Sequence, residues 1–228
     1  MKLLILKKSF IFILAAVVAA GIIIGVVAGT VQASTDDRQK TVVIDAGHGG
    51  IDAGVRGIKT SVKESEINLS ISKYLRGYFS DAGFKTVMTR TGNGGLYGTS
   101  TKGFKMRDMK KRKEIITDCN ADMVISVHQN FCPIASKRGA HAFFDKDSEC
   151  GKALAQAVQD SINEMEDCVE TNTPLAGDYY MLKCTQNPSI IVECGFLSNP
   201  DDETLLCDTE FQKKIAYAIF KGAVSYFG

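Results

Sequence analysis

None of the seven cysteines in this 228-residue chain belongs to a C-x-x-C pair, and the histidines number three: His48, His128 and His141. A cysteine zinc knuckle is thereby excluded. The cysteines all lie beyond residue 118 and are odd in number, so at least one is a free thiol or bonds another chain. That fits poorly with an obligate disulfide framework. No G-x-x-x-x-G-K-[ST] run exists, and "GHGGIDAG" fails G-x-G-x-x-G, so no phosphate loop is expected. Neither sign of charge dominates: 27 basic residues stand against 26 acidic ones, and beyond residue 33 the counts are 24 and 26. Such balance argues against a general nucleic-acid binder, and no nucleic-acid partner is expected. Internal repeats are absent, as is any Pro-, Gly- or Ser-rich stretch long enough to divide the chain.

The N-terminus carries Lys2, Lys7 and Lys8 and then 23 residues without a charge, Ser9 to Val31. That length suits a membrane-spanning helix of about 20 residues, whereas a cleaved signal has an apolar stretch of about 7–15. "VQA" before Ser34 nevertheless resembles a signal-peptidase site. Residues 1–33 therefore read as a signal peptide or a membrane anchor. Either way, the lysines ahead of the apolar run leave residues 34–228 outside the cytoplasm, anchored or secreted. Residues 34–40, "STDDRQK", form a short polar linker, and 41–228 make one domain.

Within that domain, short apolar runs alternate with segments of helical period: "TVVID", then 63–80, "FKTVMTR", 104–118 and "DMVISVH". "GAHAFF" follows as a strand, 148–165 as a helix, "YYML" and "SIIVECGF" as strands, and 210–227 as a closing helix. The closing helix sets Phe211, Ile215, Ala218, Ile219 and Gly222 along one face, ordinary core packing. This alternation predicts a single α/β domain with a mostly parallel central sheet flanked by helices.

Three ionisable residues interrupt or end apolar strands: His48 after "VVID", His128 after "MVISV" and Glu193 after "SIIV". Open α/β sheets place their ligands at these carboxyl ends. Two histidines and one carboxylate, with the fourth position left open, compose a catalytic zinc site. The helical stripe Ile67, Ile71, Tyr74, Tyr78, extended back three residues, reaches Glu64 and leaves Glu66 off the stripe. Glu64 thus points at the sheet from the first helical turn, where the helix dipole also favours an acid. His48, Glu64 and His128 are the expected metal ligands.

The segments "IDAGHGGIDAGVRG", "KESEINLSISKYL", "ADMVISVHQN" and "IIVECGFLSNPDD", in this order, resemble the zinc-dependent N-acetylmuramoyl-L-alanine amidases of the type 3 amidase family. The likeness covers about residues 41–228. It implies one zinc ion held by His48, Glu64 and His128, with Glu193 unligated and acting as the catalytic acid–base on a water. It also implies a peptidoglycan substrate and hydrolysis of the amide between N-acetylmuramic acid and L-alanine. Gln129 departs from the small residue expected between histidine and asparagine in the family's H-x-N motif, which bears on substrate preference and not on zinc.

Other residues keep two readings. Asp45 either orients a ligand histidine or satisfies loop amides. Asn130 and Ser126 serve substrate and strand, or are turn and core residues. His141 packs or borders the cleft, and Cys194, by the two-residue period, faces the core rather than the site. The run from Lys102 to Lys113, seven basic residues and one acid, either binds anionic wall polymers or lipid headgroups or is a solvated helix face.

The small size and the absence of wall-binding repeats resemble the membrane-targeted, germination-specific amidases that process spore cortex. About ten residues separate His128 from "GAHAFF", too few for the self-blocking helix of some relatives, so regulation is expected from expression, location or an activator protein. The rival readings are a vegetative cell-wall autolysin, a zinc exopeptidase and a non-catalytic peptidoglycan-binding protein.

Overall fold

The computed structural model describes residues 38–227. The apolar N-terminal segment, residues 1–33, and residues 34–37 of the linker lie outside the described residues. Among the described residues, no helix is long and apolar enough to cross a membrane.

Six strands form one sheet: β1 (Thr41–Ala46), β2 (Lys85–Met88), β3 (Met123–Asn130), β4 (His141–Phe144), β5 (Leu175–Ala176) and β6 (Ser189–Phe196). Five α-helices accompany them: α1 (Glu64–Asp81), α2 (Phe104–Asp118), α3 (Glu149–Asn163), α4 (Pro200–Cys207) and α5 (Thr209–Tyr226). The sheet order is β2-β1-β3-β6-β4-β5. Pairs β1 with β2, β1 with β3, and β3 with β6 are parallel, as is β4 with β5, while β4 runs antiparallel to β6. The expected mostly parallel α/β sheet is what forms.

Alternation along the strands divides the core into two layers. Val42 and Ile44 of β1, Met123, Ile125 and Val127 of β3, and Ile190, Val192 and Cys194 of β6 pack with α1, α3 and α5 in one cluster. Val43 and Val124 point the other way, onto Ile116 of α2 and Met181. The sheet is covered on both faces, as parallel strands require. Helix α1 buries Ile67, Ile71, Leu75 and Phe79, while Tyr74 and Tyr78 pack at the margin of that cluster.

The chain leaves β1 toward β2 on one side and returns through α2 to β3 on the other. The sheet therefore reverses its winding between β1 and β3, the place where open α/β sheets bind ligands.

Two elements differ from the sequence expectation. "YYML" is no strand: Tyr180–Lys183 is a short 3₁₀ turn. The amides of Leu182 and Cys184 donate to the carbonyls of Tyr179 and Met181, three-residue bonds that close a 3₁₀ turn and leave no ladder to a neighbouring strand. The edge pairing comes instead from Leu175 and Ala176. Helix α4 was not expected from the sequence. Its Asn199 cap accepts bonds from the amides of Asp201 and Asp202, and Pro200 opens the first turn, a strong local start signal in hindsight.

Candidate metal centre

Strand β1 ends at Ala46 and the chain turns sharply at Gly47 and His48. His48 is in the left-handed region, φ 60°, an uncommon conformation for a residue with a side chain. A β-carbon on Gly47 would lie 2.3 Å from the His128 ring, so the turn passes against His128 only because residue 47 has no side chain. Gly54 plays the same part beneath Glu64: its absent β-carbon would lie 2.2 Å from Oε2.

Glu64 opens α1 and is buried. Its Oε1 lies 2.9 Å from Nδ1 of His128 and 3.3 Å from Nε2 of His48. The same oxygen accepts from Asn68 and from the amide of Gln129, and Oε2 accepts from the amide of Val55 at 2.9 Å. The His48 and His128 rings meet edge to face, 5.0 Å apart. One donor atom from each of His48, Glu64 and His128 falls within 4.8 Å of the others, a group that could hold a metal ion.

The surroundings fit such a group. His48 gives its Nδ1 to Asp52 Oδ2 at 2.9 Å, the outer carboxylate contact that orients a metal-binding imidazole. Two imidazoles and a carboxylate suit zinc, and three protein donors leave a position open. Glu193 stands directly beside His128 across the parallel β3–β6 pair, and its Oε2 is buried without a partner. Glu66, by contrast, is exposed and pairs with Lys63.

Charge coupling follows from this crowding. Burial opposes ionisation of Glu64, but bonds from His128 and His48 outweigh it and hold the carboxylate well below the usual range. Burial disfavours a charged His48, yet Asp52 and Glu64 raise its pKa to about 9. His128 is raised likewise by Glu64 against its burial. Glu193 goes the other way: burial pushes it up to about 7, with Glu64 adding and the two histidines opposing.

All four residues singled out in the sequence line one cleft of ≈ 440 Å³. Asp45, however, neither orients a histidine nor serves loop amides. Its carboxylate accepts from Arg112 Nη1, Thr89 Oγ1 and Ser126 Oγ, each at 2.6 Å. The reason is strand parity: Asp45 projects to the α2 face of the sheet, where Arg112 reaches it. The basic run is correspondingly split. Its lysines are exposed, but Arg112 is 2% exposed and donates to the carbonyls of Ala46 and His48.

Arg90, absent from the sequence reading, is buried too and donates to the carbonyls of Ala46, Gly47 and Ser65. Asn130 Oδ1 accepts from the amide of Phe131, and the residue also lines the cleft. Gln129 is buried at the cleft wall, its side-chain amide donating to Asn68. Cys194 lies in the core cluster, its thiol pushed up by burial. His141 sits opposite Glu193 on β4, its ring against Phe143 and Phe196. All seven cysteines are free thiols. No helix occupies residues 131–140.

The chain is similar to known proteins in sequence and in fold. The chain is 32% identical to the germination-specific N-acetylmuramoyl-L-alanine amidase of Bacillus subtilis, over 82% of this chain and 80% of that one. It is 27% identical to the B. subtilis amidase LytC, over 82% of this chain but 36% of the longer relative. The CwlD amidase from Clostridioides difficile, solved in complex with the GerS lipoprotein, superposes with TM-score 0.80 at 36% identity, covering 83% of this chain and 98% of that one. Residues 42–225 match the family described as N-acetylmuramoyl-L-alanine amidase, and the chain belongs to that amidase family.

Proposed function

We propose that residues 41–228 hydrolyse the amide bond between N-acetylmuramic acid and L-alanine in peptidoglycan, with His48, Glu64 and His128 holding one zinc ion and Glu193 carrying the proton. The observation that carries this reading is the convergence of the three donors beside a buried, unpartnered carboxylate on the next strand. Zinc bound there supplies a Lewis acid that polarises the scissile carbonyl and acidifies a water.

The remaining work falls to the chain itself. Asp52 fixes the His48 ring through Nδ1 and leaves Nε2 facing the cleft. Asn68 and the Gln129 amide hold Glu64 in place. Glu193, which burial raises in the metal-free site, takes a proton from the attacking water and returns it to the departing amine nitrogen. The water's oxygen bonds to the carbonyl carbon, the C–N bond breaks, and the products are a lactyl carboxylate and a peptide with a free N-terminal alanine.

The role extends to spore-cortex remodelling, on the identity with the germination-specific relative. Residues 1–33 deliver the domain outside the cytoplasm as a signal or anchor. An activator protein is a further element of the proposal, since the C. difficile relative was solved with a lipoprotein. The test is mass spectrometry of purified cortex and vegetative peptidoglycan after incubation with the protein and zinc. Peptides with a new N-terminal alanine, together with peptide-free muramic acid, are expected. Neither product from zinc-loaded protein, with or without the lipoprotein partner, overturns the reading.

A further inference from the structure

The cleft is lined by five carboxylates, those of Asp45, Asp52, Glu64, Asp108 and Glu193. Two long cationic side chains oppose them. Arg112 is buried and spent on Asp45 and Asp108. Lys105 is the other: its side chain is 69% exposed, and its Nζ stands 3.6 Å from Asp52 Oδ1, too far for a tight hydrogen bond. A peptide bearing free carboxylates meets a mostly acidic wall here, and Lys105 is the exposed lysine along it.

Its place relative to the reacting centre is defined. Asp52 faces Lys105 with one oxygen and His48 with the other, so Lys105 marks the β1 flank of the cleft. Tyr179, Tyr180 and Phe131 line the same cleft and are exposed by 39%, 40% and 52%. The Tyr179 ring meets that of Phe143 on β4 at 5.6 Å, and β4 pairs with β6, which sets the ring on the β6 flank. Aromatic faces there suit a sugar ring, whose carbons are apolar and whose hydroxyls reach the phenols. The muramyl side of the amide then lies toward the tyrosines and the peptide side toward Lys105.

In the stem peptide, the residue after alanine is a glutamate joined onward through its side chain, which leaves its α-carboxylate free. Two extended residues reach about 7 Å, and only the Asp52 carboxylate stands between Lys105 Nζ, at 3.6 Å, and the His48 ring, at 2.9 Å. We propose that Lys105 is a specificity-determining residue that binds this free α-carboxylate and so favours stems in which it is unamidated. The proposal rests on the amidase reading above and names the peptide contact within it.

The experiment compares two muropeptides that differ only there, one with the free α-carboxylate and one with the carboxamide. The ratio of their kcat/KM values within one protein is insensitive to any general weakening of the site. The wild-type protein with zinc is expected to favour the acid about five- to tenfold, the size of one partly exposed charged contact. Lys105→Met should bring the ratio to near one, Lys105→Glu should invert it, and Lys105→Arg should keep it. A wild-type ratio of one, or a preference that survives in Lys105→Met, overturns the proposal. If the wild-type protein cleaves neither compound, the amidase reading falls and this inference with it.

Discussion

Arg112 Nη2 donates to the backbone carbonyl of His48 at 2.6 Å, tying a helix on one face of the sheet to the one histidine whose backbone is left-handed. Such a conformation costs of order 1–3 kcal/mol and persists only where its surroundings hold it. Arg90 adds bonds to the two preceding carbonyls and to Ser65, beside Glu64. Two buried guanidiniums thus fix two of the three donor-bearing segments, those of His48 and Glu64.

Asp45→Asn should destabilise the fold by about 2–3 kcal/mol, because the buried Arg112 loses one of its two carboxylate partners and keeps Asp108. The acid limb has a definite sign. Asp45 is held at about 2 by Arg112, Ser126 and Thr89 against its burial, whereas an unfolded aspartate titrates near 3.9. Its contribution, roughly 2–3 kcal/mol, is present in full above about pH 4 and disappears as pH falls through 2. Melting temperature against pH should fall less steeply in the asparagine variant over that interval, and parallel curves would refute the assignment.

Metal uptake should release protons. In the metal-free site Asp52 and Glu64 raise His48 to about 9 against its burial, so it carries charge at neutral pH and must lose it on ligation; His128 is shifted in the same direction by Glu64. Affinity should therefore climb with pH up to about 9. In the metal-free protein the same raised pKa stabilises the fold fully below about pH 6.5, and that share is lost as pH passes 9. Calorimetric titration of zinc in two buffers of different ionisation heat reads the protons directly. Identical heats would count against it.

Glu193→Gln should keep zinc and the fold while losing most turnover, about 10²–10⁴-fold for a removed acid–base. His48→Ala and His128→Ala should lose zinc as well. Glu64→Ala should lower metal content far more than Glu66→Ala, given one buried and one exposed carboxylate. Metal analysis beside a turnover assay separates these cases, and full activity in the glutamine variant would remove Glu193 from its role.

Gly47→Ala should be as damaging to zinc affinity as loss of a ligand, since the new methyl group would meet the His128 ring at 2.3 Å. Direct zinc titration of the folded variant checks it. Unchanged affinity would mean that the turn relaxes without moving His128.

How much of this was legible beforehand depends on the range of the interaction. Strand exits and helix period are local, and they sufficed to bring out His48, Glu64, His128 and Glu193 and the mostly parallel sheet. Arg112 was hidden because its run of lysines looks like solvent-facing charge, and only the approach of α2 to β1, 67 residues apart in sequence, turns one member inward. Asp52 carried a signal, four residues after His48, but no regular element there predicts that the two side chains meet. The "YYML" segment misled because apolar content without alternation fits a 3₁₀ turn as well as a strand.

Strand β6 enters the sheet between β3 and β4, both of which precede it in the chain. The cleft consequently cannot be completed by any chain shorter than residue 193, however well its earlier strands have paired. A chain that stops short of this strand brings together His48, Glu64 and His128 at most and lacks Glu193. Long-range pairing of this kind is slow to form, so the four cleft residues come together with the insertion of one late strand.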